Sequence, residues 1–288
     1  EAKQLSDEPL VTFGMAEIDF ELGNFNQAIK EYASLDNRMI YEQTGVSTYQ
    51  RIGVSYASLG KFEVAIEFLE KDLEIEYDDA VAFELATILY DQKEYQKANL
   101  YFKQIDTISP EFEGYEYGYA LSLHAEHQTE EALRLTQQGL SKNPFDTRLL
   151  LLASQLSYEL HDERKAEDYL LKAKDNAEDL EEIALRLSNL YLEQERFDEV
   201  LKFEEQDIDN VLTKWNIARA YQALEQTTAA LERYRLLLSD LKENPEFLEQ
   251  YIYLLREMGE FEKAKHQAEH YLRLVPDDGI MQELYDSL

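Results

Sequence analysis

Leu22-Gly23-Asn24-Phe25, Leu59-Gly60-Lys61-Phe62 and Met258-Gly259-Glu260-Phe261 are one phrase written three times. Three residues after each aromatic stands an alanine: Ala28, Ala65 and Ala264. Carried through the chain, that frame selects Ala28, Ala65, Ala98, Ala132, Ala166, Val200, Ala230 and Ala264, spaced by 37, 33, 34, 34, 34, 30 and 34 residues. Twelve residues earlier lies a second small position, held by Ala16, Gly53, Ala86, Ala120, Ser154, Ser188 and Ala218, with Ile252 the exception. Two helices approach to roughly 8–10 Å only where small side chains meet. The paired small positions therefore predict an antiparallel helix pair in every unit. The residue before the first of them is usually large (Met15, Ile52, Leu85, Tyr119, Leu187, Ile217, Tyr251; Ala153 departs) and is expected to fill the space beside the contact.

The punctuation agrees with this frame. Pro9, Pro110, Pro144, Pro245 and Pro276 all fall where one unit hands over to the next, and proline is tolerated at first helical turns but breaks interiors. Asn244-Pro245 reads as an N-cap followed by the first helical residue. Gly23, Gly60 and Gly259 stand where a helix-terminating glycine is needed between the two helices of a unit.

Composition supports an all-helical protein. The chain has 288 residues, 44% of them hydrophobic, with only 10 glycines and 5 prolines. Its 60 acidic and 28 basic residues give a formal net charge of −32. Such a surface repels phosphate backbones and anionic lipid headgroups, so neither nucleic acid nor a membrane surface is an expected partner. The absence of cysteine excludes disulfides, thiolate zinc sites and cysteine nucleophiles, and fits a cytoplasmic protein. No apolar run approaches the roughly 18 residues that span a bilayer, and no signal peptide is visible. The sequence begins at Glu1 rather than Met, as a fragment or a processed product would.

A helix-turn-helix period of about 34 residues is that of the tetratricopeptide repeat. In its frame, its turn glycines and its paired small positions the sequence closely resembles that family over nearly its whole length. Its wider texture is similar to that of the YpiA-like group of repeat proteins from low-GC Gram-positive bacteria. The resemblance implies a right-handed superhelical α-solenoid of antiparallel helix pairs, a single array with eight repeats at about 9–42, 46–79, 79–112, 113–146, 147–180, 181–210, 211–244 and 245–278. Residues 279–288 are expected to form a capping helix or a partial repeat. Two irregularities stand out. The sixth repeat has Val200 for alanine and Glu204 and Asp207 where apolar residues are expected, so its second helix should be short. The first spacing implies extra residues around Leu35–Gly45, read as a loop insertion or a hinge.

Solenoids present a continuous concave face, and the resemblance places it on the second, fifth, ninth and twelfth residues of each repeat. Those positions carry Phe13, Phe20, Gln50, Val54, Phe83, Tyr90, Tyr117, Leu121, His124, Leu151, Gln155, Tyr158, Asn189, Trp215, Arg219, Gln222 and Tyr253. Aromatics with a polar handle are typical binding anchors; the competing expectation for each is packing against the next repeat. Some family members hold a terminal carboxylate with a clamp of lysine, arginine and asparagine. Asn189 and Asn216 match its asparagines, but Leu185, Glu246 and Gln250 stand at its basic positions, so the clamp is rejected. An acidic groove with aromatics better suits a basic or apolar segment.

No catalytic set, cofactor or metal site is expected. His266 and His270 share a helix face but lack the glutamate of a metalloprotease motif, and His124, His127 and His161 read as turn or groove residues. A calcium loop starting at Asp207 fails, because Leu212 and Ala218 stand where glycine and glutamate are required. No phosphate-binding or nucleophile-elbow motif occurs. The sequence therefore predicts a non-catalytic scaffold that holds a protein or peptide in its groove. Two alternatives accompany it: a self-assembling structural component, and the sensor part of a peptide-responsive regulator.

Overall fold

The computed structural model describes residues 2–206 and 208–288, with side chains from residue 8 onward. Asp207, one of the irregular positions of the sixth repeat and the start of the rejected calcium loop, lies outside them. Among the described residues there are α-helices and one 3₁₀ turn, and no strand. The chain falls into two compact units, residues 1–160 and 161–288.

The first unit contains α1 (Ala2–Glu21), α2 (Phe25–Ala33), α3 (Asn37–Thr44), α4 (Thr48–Ser58), α5 (Phe62–Ile75), α6 (Asp79–Asp91), α7 (Tyr95–Ile108), α8 (Tyr115–Ala125), α9 (Thr129–Lys142) and α10 (Thr147–Glu159). Within it α1 packs on α2, α4 on α5, α6 on α7 and α8 on α9, and each second helix also packs on the first helix that follows. The second unit contains α11 (Glu163–Lys174), α12 (Glu181–Glu193), α13 (Phe197–Leu201), a 3₁₀ turn (Lys202–Glu205), α14 (Val211–Ala223), α15 (Thr227–Leu241), α16 (Pro245–Glu257), α17 (Phe261–Leu274) and α18 (Gly279–Ser287). There α12 packs on α13, α14 on α15, α16 on α17 and α17 on α18. Both units are α-solenoids of antiparallel helix pairs.

The small positions do what their size requires. Ala28, Ala65, Ala98, Ala132, Val200, Ala230 and Ala264 are fully buried, as are Ala16, Ala86, Ala120, Ser188, Ala218 and Ile252. At Gly53 a Cβ would lie 2.7 Å from Leu69 Cγ and 3.2 Å from the Ala65 carbonyl oxygen, so α4 and α5 cross too closely for any side chain. The large residues beside these contacts are buried, with one correction. Met15 is exposed, because nothing among the described residues packs on the outer side of α1.

The turns repeat with the same frame. The left-handed residues in them are Gly23, Gly60, Lys93, His127, His161, Glu195, Glu225 and Gly259, each five residues before a frame alanine or Val200. Five of the eight are not glycine, although a left-handed conformation costs an L-residue roughly 1–2 kcal/mol. The strain is held by paired bonds of Schellman type: in the third repeat the Lys93 N–H donates to the Tyr90 carbonyl (2.9 Å) and the Glu94 N–H to Leu89 (2.8 Å). The same six-to-one bond closes the turns at Asn24, Lys61, Gln128, Arg196, Gln226 and Glu260.

Most first helices start on side-chain caps, α8 after Gly114 and α12 after Leu180 being the exceptions. Ser47, Asp78, Asp146, Asn210, Asn244 and Asp278 each accept an N–H from the first turn, and Pro245 follows Asn244 as expected. Pro9, expected at a handover, instead lies inside α1, which continues through it without the bond that its ring nitrogen cannot donate. The extra residues of the first junction, read as a loop insertion or a hinge, are not an irregular loop. They form α3, capped by Asp36 on the Met39 N–H (2.8 Å) and closed by left-handed Gly45. The sixth repeat has the short second helix that its spacing predicts. α13 spans five residues before the chain tightens into the 3₁₀ turn.

Candidate functional site: the first-helix face

Of the seventeen residues read onto the concave face, all but Trp215 are at least partly exposed. Tyr158 and Tyr253 are the most open aromatics, at 44% and 37%. The others use one ring face for packing. Phe20 meets Phe25 and Tyr32 edge-on, Phe83 lies between Phe102 and Phe112, and Tyr90 packs on Tyr95 at 5.5 Å. Burial raises the Tyr90 phenol above its ordinary pKa, so it stays a neutral donor. Tyr117 carries the Arg148 guanidinium over its ring at 5.2 Å.

Trp215 is a correction. It is only 6% exposed, lies edge-on to Phe247, and donates its indole N–H to Gln250 Oε1 at 3.1 Å. Gln250 also accepts from the Tyr234 hydroxyl at 2.8 Å, and burial pushes that phenol up to about 12. Trp215 is thus a core residue whose polar atom is satisfied internally, and it offers a partner almost no surface. The same bonds occupy Gln250, which stands at a basic position of the carboxylate clamp. Asn216 is buried and donates its Nδ2 to both Ser188 Oγ (2.8 Å) and Asn189 Oδ1 (2.6 Å).

Polar links between consecutive first helices were not read from the sequence. Arg51 forms a two-point pair with Glu17, Nε to Oε1 at 2.9 Å and Nη2 to Oε2 at 3.0 Å, and its guanidinium covers the Phe20 ring at 4.7 Å. Tyr32 donates to the same Glu17 oxygen at 2.5 Å. Glu84, one repeat on, feels the Arg51 charge, but burial dominates and raises its carboxyl pKa. His124 Nε2 lies 2.7 Å from Glu159 Oε2. The signal was available: Glu17 and Arg51 stand 34 residues apart, and His124 and Glu159 stand 35 apart. One repeat length separates side chains that face each other on neighbouring first helices.

The other candidate positions are accounted for locally. His127 and His161 occupy left-handed turn positions. His270 Nε2 contacts the Lys242 carbonyl at 2.9 Å, and His266 is exposed. Among the described residues no group of three or more His, Asp or Glu is placed to hold a metal ion. A cavity of about 400 Å³ opens beside α3, where Ser47 donates to Asp72 and burial raises the Asp72 carboxyl pKa. It depends on the inserted helix, whose fold the spacing alone did not specify.

Comparison with known proteins supplies the relatives. The family described as YpiA-like, C-terminal tetratricopeptide repeats matches residues 212–278. The YpiA-like tetratricopeptide repeats match residues 1–40, and the general tetratricopeptide repeat matches residues 46–79. The TPR repeat-containing protein YpiA of Bacillus subtilis (strain 168) is 22% identical over 288 residues, covering 99% of this chain and 67% of the relative. Among solved structures, YrrB, described as a TPR protein with an unusual peptide-binding site, superposes with a TM-score of 0.52 at 17% identity, covering 62% of this chain and 94% of that one. MamA from Desulfovibrio magneticus RS-1 gives 0.52 at 14% identity over 59% and 94%. These likenesses show the fold, which is one used by protein-interaction scaffolds. Among the described residues no helix is long and apolar enough to cross a membrane. One frame recurs at every turn and repeat families match at three places, so the chain carries tetratricopeptide repeats, similar to those of the YpiA-like group at residues 1–40 and 212–278.

Proposed function

We propose that this chain is a cytoplasmic, non-catalytic adaptor that holds a basic or apolar segment of a partner protein against the exposed face of its first helices. One observation carries the reading. From α4 to α16 the first helices run 11–13 residues, whereas the second helices from α2 to α17 range from 5 to 15. The element that builds the face is kept uniform, and the element behind it varies. The face is lined by partly open aromatics, and the net charge of −32 favours a cationic or neutral segment over a polyanion. The peptide-binding site ascribed to YrrB, a structure of the same fold, points the same way.

The test is affinity capture from the source cell with the wild-type chain and with a variant carrying Tyr90→Ala, Tyr117→Ala, Tyr158→Ala and Tyr253→Ala. The variant should lose the captured partner while keeping its helical circular dichroism. Equal capture by both would place the binding surface elsewhere. Salt should weaken capture of a basic segment more than of an apolar one.

Self-assembly is favoured by a separate feature. Val11, Met15 and Ile18 on α1, with Leu22 just past its end, are 54–70% exposed and spaced by 4, 3 and 4 residues, an apolar seam along one side of the helix. Light scattering decides between the readings: a monomer at working concentration removes assembly through α1.

A further inference from the structure

The cavity of about 400 Å³ in the first unit is walled by α3, the starts of α4 and α6 and the end of α5. Four carboxylates line it, Asp36, Asp72, Glu76 and Asp78, against one cation, Arg38. Two of the four are engaged as helix caps, Asp36 on the Met39 N–H and Asp78 on the Val81 N–H. Asp72 differs from them. It is buried, at 8% exposure, and the charges that act on it are Asp78 and Glu76, both of its own sign; with burial they raise its carboxyl pKa. No lysine, arginine or histidine pairs with it among the described residues. One donor reaches it: the Ser47 hydroxyl bonds Oδ1, while Oδ2 accepts no hydrogen bond among the described residues. Ser47 has a single proton to give, and Asn37 Oδ1 beside it is already served by the Thr48 N–H (2.7 Å) and hydroxyl (3.0 Å). A carboxylate buried to this degree is costly unless a cation or further donors meet it. Arg38 does not meet it: its side chain is 88% exposed and its Nε bonds Glu42 Oε1 at 2.9 Å.

We propose that this cavity is a guanidinium site, in which the fork of an arginine side chain or of a small free guanidine lies between Asp72 Oδ2 and the Glu76 carboxylate. Guanidinium suits the place better than ammonium, because it is planar, more weakly hydrated and able to serve two acceptors at once. Tyr41 offers a half-open ring for its flat face, and the Glu76 charge beside that ring raises the Tyr41 phenol. Ile75 and Val81 supply alkyl surface for the stem behind the charged head. The inserted helix α3 brings Tyr41, so the site belongs to the one junction that departs from the repeat frame. Of its lining only Gln50 is read onto the first-helix face, and the proposal stands apart from the groove reading.

Isothermal titration calorimetry of the full chain tests it with acetyl-arginine-amide, butylguanidine and acetyl-citrulline-amide, the last keeping the shape of arginine without its charge. At least one guanidinium probe should bind saturably, one to one, and about ten-fold more tightly than the citrulline probe. Bound probe should also slow hydrogen exchange in α3 and at the start of α6, which locates the site. Tighter binding of acetyl-arginine-amide identifies a partner's side chain, and tighter binding of butylguanidine a free small ligand; either supports the site. Asp72→Asn keeps the shape and removes the buried charge, so it should retain helical circular dichroism and abolish the preference over citrulline. Glu76 is exposed, and Glu76→Gln should reduce the preference, which keeps the test open should Asp72→Asn unfold. Arg38→Gln removes the competing cation and should strengthen binding. Equal binding of arginine and citrulline probes would overturn the proposal, as would a preference unchanged in both Asp72→Asn and Glu76→Gln. So would unsaturable uptake of the cations, the mark of diffuse attraction to a chain of net charge −32.

Discussion

The third and sixth repeats solve the same packing problem with different second helices. α7 runs 14 residues from Tyr95 to Ile108, whereas α13 stops after five and tightens into a 3₁₀ turn. Both keep the close helix crossing, at Ala86 with Ala98 and at Ser188 with Val200, all buried. Both keep the left-handed turn, at Lys93 and Glu195. They differ four residues after the frame alanine or valine. There the third repeat buries Phe102 in the core, but the sixth has Glu204, which is exposed. A 3₁₀ winding has about 3.0 residues per turn in place of 3.6, and it brings the preceding residue inward. Phe203 is 3% exposed and stacks on Tyr191 at 6.4 Å. Glu204, turned outward, accepts from Arg233 Nε at 2.5 Å and from the Tyr221 hydroxyl, tying the short helix to the next repeat. The crossing and the turn define a repeat, and the end of its second helix is adjustable.

If Phe203 replaces Phe102 in role, the two truncations should cost alike. Phe102→Ala and Phe203→Ala are each expected to destabilise their repeat by about 3–5 kcal/mol. Repeat arrays need not unfold as one unit, so segment-resolved hydrogen exchange is the measurement. A cost below about 1 kcal/mol for Phe203→Ala would break the equivalence. Restoring an apolar residue with Glu204→Leu should not repair the sixth repeat. It should cost about 1–2 kcal/mol, because Arg233 and Tyr221 lose their acceptor; a stabilised variant would mean that the outward turn of Glu204 is incidental. Lys93→Gly and Glu195→Gly should each gain about 0.5–1 kcal/mol by relieving the left-handed strain in the same way in both repeats. Unequal gains would show that the two turns differ.

The subtlest contrast is in pH. Burial raises the Glu84 carboxyl of α6, so its charged form destabilises the fold and acidification through the glutamate range relieves that cost. The Glu167 carboxyl is lowered, first by its bond to Arg196, with Arg196 Nη1 to Oε2 at 2.7 Å and Nη2 to Oε1 at 2.9 Å. Its contribution is present above the ordinary glutamate pKa and is lost as pH falls through the depressed one. Exchange protection followed from pH 7 to pH 4 should therefore hold better in α6 than at the turn before α13. The opposite order would contradict the assignment.

Much of this was legible because repeats test each prediction several times over. The spacing of Ala28 through Ala264 located every turn, including the five without glycine, and the 30-residue interval exposed the short sixth helix. What escaped depends on atoms rather than on frame. Trp215 occupies a surface position by number, but its indole N–H finds Gln250 one repeat away, and that bond holds it inside. The fold of α3 was hidden because an insertion of uncertain length carries no repeat frame. The Glu17–Arg51 pair was readable in principle, as opposite charges one period apart.

The central claim is that the uniform first helices, rather than the adjustable second ones, present the surface that holds a partner. Site-specific photo-crosslinking in the source cell tests it most directly, with the crosslinker placed at Tyr90 or Tyr253 on first helices and at Leu100 or Leu236 on second helices, all solvent-accessible. The account predicts a partner adduct from Tyr90 and Tyr253 and none from Leu100 or Leu236. Adducts confined to the second-helix positions, or formed equally from both sets, would contradict it.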